Sequence, residues 1–157
     1  MSRKVRIAVG ADHAGFALKE RVRAYLQSKG FEVEDHGPAT LEPVDYPDYA
    51  EKVAASVAAK GADFGVLMCG TGLGVAIAAN KVPGIRAATC NDTLSAYFAR
   101  AHNDANVLAM GGRLTDEATA RKIVDTWLAT EFEGGRHARR VEKIAIIDEK
   151  NHTEKLS

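Results

Sequence analysis

The sequence predicts a single α/β domain built on a five-stranded, mainly parallel sheet. Three observations lead there. Apolar strand-like runs alternate five times with segments of helical period. Right-handed crossovers between such strands place helices on both faces of the sheet. The 157 residues suffice for one core, and no repeat, linker or low-complexity stretch divides them. The domain is expected to span residues 1–149, with 150–157 as a polar tail.

Each element has its own signal. VRIAVGAD (5–12) is a buried first strand. In GFALKERVRAYLQSKG, Phe16, Leu18, Val22, Tyr25 and Leu26 recur at helical spacing, and Gly30 stops the helix. FEVEDHG is a shorter, half-buried strand. Residues 38–47 carry three prolines and form a loop before the helix DYAEKVAASVAAKG. FGVLMCG (64–70) is the third strand, followed by the helix GVAIAANKV. IRAATCN is the fourth strand and DTLSAYFARAHN its helix; NVLAMGG is the fifth strand. TDEATARKIVDTWLAT is an amphipathic helix opened by a Thr or Asp cap. After EFEGGRHARR a last helix covers roughly 138–149, and the polar end beyond it is expected to fray.

Composition excludes several classes of function. Twenty-one basic side chains balance 21 acidic ones, so nothing draws the chain to nucleic acid or a membrane surface. No run approaches the 18 apolar residues of a membrane span. MSRKVRIAVGADH enters a strand at once, which leaves no room for a signal peptide. Cys69 and Cys90 sit in separate apolar runs and make a poor disulfide framework, so a reducing cytoplasm is expected.

Ligands of open parallel sheets bind beyond the carboxyl ends of the strands. Those ends carry Asp12-His13, Cys69-Gly70-Thr71-Gly72, Asn91-Asp92 and Gly111-Gly112-Arg113. Gly70, Gly72 and Gly74 alternate around Thr71 and Leu73, which exposes successive N–H groups to an anion or simply permits a tight turn. The dinucleotide pattern G-x-G-x-x-G fails because position 75 is Val, and no Gly-Lys-Ser/Thr completes a phosphate-binding Walker loop. Cys69 can be a small core hydrophobe. Its place before a glycine-rich helix start also suits a reactive thiol, since oriented N–H groups there favour the thiolate. Cys90 has no such loop after it.

His36 and His152 read as solvated surface residues. His13 follows a strand-end aspartate, and His102 ends a helix beside Asn103. None of the histidines has metal-ligand spacing, so no metal site is expected. In GGRHARR, Arg136 and Arg140 are i, i+4 neighbours that either form a solvated face or, with Arg113, clamp a phosphate.

GADHAGFALK, DYPDYA, CGTGLGVAIAANK, GIRAA, AHNDANVLAMGGR and EGGRHARRV together resemble the RpiB/LacAB family of sugar-phosphate isomerases, over about residues 5–148. The resemblance implies a three-layer, Rossmann-like α/β/α sandwich. It also implies a homodimer, or a dimer of dimers, with sites between subunits and neither metal nor organic cofactor. It places the general base on Cys69 and the ring-opening acid/base on His102, with Thr71 as a further catalytic residue. Substrate-binding positions fall on Asp12, His13, Tyr46, Gly70, Thr71, Gly72, Leu73, Gly74, Asn103, Arg113, Arg136 and Arg140. His102, Asn103 and Arg113 are expected to reach in from the partner. Another branch carries a glutamate base at position 75; Cys69 with Val75 fits the cysteine branch.

The implied reaction interconverts ribose 5-phosphate and ribulose 5-phosphate through an enediolate. Allose 6-phosphate, galactose 6-phosphate or a four-carbon ketose phosphate is the alternative substrate. A catalytically silent sugar-phosphate-binding module is the alternative class, and retention of both Cys69 and His102 speaks against it.

Overall fold

The computed structural model describes residues 3–154. Its elements are β1 (Arg6–Ala11), α1 (Phe16–Ser28), β2 (Glu32–Asp35), α2 (Tyr46–Ala58), β3 (Phe64–Cys69), α3 (Leu73–Ala79), β4 (Ala87–Thr89), α4 (Thr93–Ala101), β5 (Val107–Gly111), α5 (Glu117–Ala129) and α6 (Arg136–Glu154). The strands form one sheet in the order β2-β1-β3-β5-β4. Every pairing is parallel, so the sheet is wholly rather than mainly so.

Both faces of the sheet are covered, which is why the strands read as continuous apolar runs. Ile7, Val9, Val66, Met68, Leu108 and Met110 face one side and meet Leu18, Val22 and Leu26 of α1, Ala96 and Ala99 of α4, and Ile123 and Trp127 of α5. The alternate residues Ala8, Leu67, Cys69, Val107 and Ala109 face the other side, against Ala50, Val53 and Val57 of α2 and Val75, Ala76 and Ala79 of α3. The result is the expected three-layer sandwich.

Local chemistry sets the element boundaries. α2 begins at Tyr46, two residues before the expected start, because Pro47 has no N–H to leave unpaired in the first turn. Asp92 caps α4 by accepting the Ser95 N–H at 2.7 Å, and Asp116 caps α5 by accepting that of Thr119 at 2.8 Å.

The largest departure is α6, which starts at Arg136 and continues to Glu154 instead of covering roughly 138–149. Contacts with the turn after α3 account for its length. The Gly84 N–H donates to Asp148 at 2.7 Å, and His152 Nε2 lies 3.2 Å from the Lys81 carbonyl. His152 is therefore half-buried rather than a solvated surface residue, and residues 150–154 are helical. The rest of the expected tail, 155–157, lies outside the described residues. His36 is likewise half-buried, against the Glu34 carboxylate. No helix among the described residues is long and apolar enough to cross a membrane.

Candidate active site

The carboxyl ends of β1 and β3 lie side by side where the strand order reverses, the crevice that open parallel sheets use for ligands. Asp12, buried at the end of β1, accepts the Gly15 N–H at 3.0 Å. Gly15 lets α1 begin against β3, since a Cβ there would fall 2.4 Å from the Met68 carbonyl. His13 is exposed, and its Nδ1 accepts the Val44 N–H at 3.2 Å, tying the proline loop to the crevice.

β3 delivers Cys69, whose sulfur is nearly buried and accepts the Gly72 N–H at 3.2 Å. Gly72 takes φ +83°, and a Cβ on it would sit 2.9 Å from the Met110 backbone, so this turn requires glycine. The loop is sewn to its neighbours. The Thr71 carbonyl accepts the Asn91 amide at 3.2 Å, and the Gly72 carbonyl accepts the Thr89 hydroxyl at 2.7 Å. Asn91 Oδ1 accepts the Gly111 N–H and the Thr115 hydroxyl at 2.9 and 2.7 Å. Asn91 therefore ties the glycine loop to β5, a structural part that sequence reasoning did not assign. Its position at the end of β4 was the one available signal.

Thr71 Oγ1 accepts the Leu73 N–H at 3.2 Å. The Tyr46 ring lies over Gly74, where a Cβ would come within 2.6 Å of it. Arg113 donates its backbone N–H to Gly70 at 3.0 Å, and its guanidinium would stand 3.2 Å from a Cβ on that glycine. Arg113 thus lies beside the glycine loop of its own chain.

The other candidates gather elsewhere. Helices of a right-handed parallel fold run back against their strands. The end of α4 therefore lies at the amino edge of the sheet, one strand length from Cys69, or about 15 Å along β5. His102 sits there, flanked by Phe98 at 4.8 Å and stacked on His137 with ring centroids 4.0 Å apart. The Nε2 atoms of His102 and His137 lie 3.7 and 3.5 Å from Glu133 Oε2. Burial, His102 and Arg136 hold the His137 imidazole below its ordinary pKa, so it is neutral near pH 7. Asn103, Arg136 and Arg140 are exposed nearby. Among the described residues, no hydrogen bond or ion pair joins this group to the crevice. Glu133 and His137 were missed as companions of His102 because only the fold brings their segments together.

A family model described as ribose/galactose isomerase matches residues 7–144. The chain belongs to that family. It is 49% identical over 147 residues to ribose-5-phosphate isomerase B of Escherichia coli, covering 94% of this chain and 99% of the relative. It is 46% identical over 151 residues to the D-erythrulose-4-phosphate isomerase of Pectobacterium atrosepticum, covering 95% and 97%. The solved structure of Clostridium thermocellum ribose-5-phosphate isomerase B superposes with a TM-score of 0.92 at 51% identity, over 94% of this chain and 99% of that one. The protein is thus an aldose–ketose isomerase by family.

For such an isomerase the crevice offers suitable chemistry. Cys69 presents a sulfur with an N–H already aimed at it, beside the glycine loop. Cys90 offers none of this, because burial pushes its thiol up to about 11.

Proposed function

We propose that this enzyme interconverts ribose 5-phosphate and ribulose 5-phosphate through an enediolate, using neither metal nor organic cofactor. The observation that carries the reading is Cys69 at the end of β3, its sulfur held by the Gly72 N–H beside the glycine loop. As thiolate, Cys69 removes the proton from C2 of the aldose and returns it to C1, while the O2 hydroxyl proton passes to O1, so that the carbonyl moves from C1 to C2. The N–H groups of the 70–74 loop other than those of Gly72 and Leu73, which Cys69 and Thr71 accept, stabilise with Thr71 the oxygen on which charge develops. Asp12, His13, Tyr46, Leu73 and Asn103 hold the sugar. Arg113, Arg136 and Arg140 bind the phosphate and keep the chain in register.

Pentose phosphates are largely cyclic, so His102 first moves the ring proton. One chain cannot bring its own His102 to its own Cys69, because they lie at opposite edges of the sheet. The reading therefore requires a homodimer in which His102, Asn103, Arg136 and Arg140 enter from the partner, giving two composite sites. Two free cysteines suit a cytoplasmic setting.

A four-carbon substrate is the second reading, favoured by the similarity to the Pectobacterium isomerase. Measuring kcat/KM on four-, five- and six-carbon sugar phosphates side by side separates them. Ribose 5-phosphate is expected to give the highest value; a higher value for erythrulose 4-phosphate or allose 6-phosphate would replace it.

A further inference from the structure

We propose that His102, Glu133 and His137 form a binding site for a zinc ion. Their donor atoms all lie within 4.8 Å of one another. Tetrahedral zinc with bonds of roughly 2.0–2.2 Å needs its ligand atoms about 3.4 Å apart. Glu133 Oε2 stands 3.7 Å from His102 Nε2 and 3.5 Å from His137 Nε2, so two of the three edges are already close to that length.

The backbone segments that carry the donors are also held before any ion arrives. The Glu133 N–H donates to the Ala101 carbonyl at 3.0 Å, which joins the segment bearing Glu133 to the end of α4 next to His102. The His137 N–H donates to the Gly134 carbonyl at 3.0 Å, closing the turn that carries both Glu133 and His137. The Tyr97 hydroxyl donates to Glu133 Oε1 at 3.4 Å, leaving Oε2 for the metal.

The two imidazoles stack with only 10° between their planes, so capture requires them to tilt until both Nε2 lone pairs converge. His102, with 30% of its side chain exposed, has the room to turn. Two imidazoles and one carboxylate select zinc over magnesium or calcium and leave a fourth position open. Arg136 and Arg140 oppose a dication here, and the Glu133 charge offsets part of that repulsion.

The site stands on geometry alone. Its consequence for activity rests on the proposed role of His102: zinc on Nε2 occupies the nitrogen that moves the ring proton, and so inhibits reversibly. Calorimetric titration of the chelator-treated, intact protein with ZnCl2 tests the site. One ion per chain is expected, weakened at least about tenfold in Glu133→Gln and in His137→Asn and unchanged in Cys69→Ser. Circular dichroism confirms that the variants are folded. Shifts of the His102 and His137 ring signals on adding zinc to wild-type protein give a second readout that needs no variant. No binding at one per chain, affinity indifferent to Glu133 and His137, or loss in Cys69→Ser would overturn the site. Binding as expected with undiminished ribose 5-phosphate turnover would keep the site and remove His102 from ring opening.

Discussion

Cys69 and Cys90 show how surroundings decide what a side chain can do. Both are buried, but Cys69 meets a backbone N–H donor at 3.2 Å, whereas the Cys90 sulfur donates to the Ala88 carbonyl at 3.8 Å and burial pushes its pKa up to about 11. Cys69→Ala is expected to lower kcat by about a thousandfold or more while substrate still binds, because a general base acts in the proton-transfer step. Cys90→Ala is expected to keep kcat within about threefold of wild type. Near-normal turnover of Cys69→Ala would remove the base. At the phosphate end, Arg136→Ala and Arg140→Ala should raise KM more than they lower kcat. Normal KM in both would return GGRHARR to a solvated face.

At the scale of elements, the caps offer a test with a definite sign. Hydrogen bonds from the Ser95 and Thr119 backbones hold Asp92 and Asp116 below their ordinary carboxylate pKa. A depressed folded-state pKa stabilises above the unfolded value, and that gain is lost as pH falls through the folded one. Asp92→Ala and Asp116→Ala should each lower Tm by about 3 °C at pH 7. The deficit should shrink below the unfolded carboxylate value of about pH 4. An equal deficit at pH 7 and in acid would contradict the cap account. The strands were legible because both faces of the sheet are covered, which leaves unbroken apolar runs such as FGVLMC. The length of α6 was not, because its end is fixed by Gly84–Asp148 and His152–Lys81 contacts between distant segments. The glycine loop beside Cys69 was legible for the same local reason that α6 was not: its parts are consecutive residues. The His102–Glu133–His137 group is assembled only by tertiary packing.

At the scale of the whole molecule, one chain carries the Cys69 crevice at the carboxyl edge of the sheet and the His102 group at the amino edge. The central claim is that activity arises where these two meet across a two-fold axis. Exposed apolar side chains at both edges, Leu73 beside the glycine loop and Phe98 beside His102, are surfaces such a partner would cover. The direct measurement is to unfold and refold Cys69→Ala and His102→Ala chains together and assay the mixture. A mixed dimer places both lesions in one site and leaves the other intact. Random pairing makes about half the dimers mixed, so activity should recover to roughly a quarter of wild type. Recovery no greater than the sum of the two variants assayed separately would mean that each chain builds its own site, and would contradict the account.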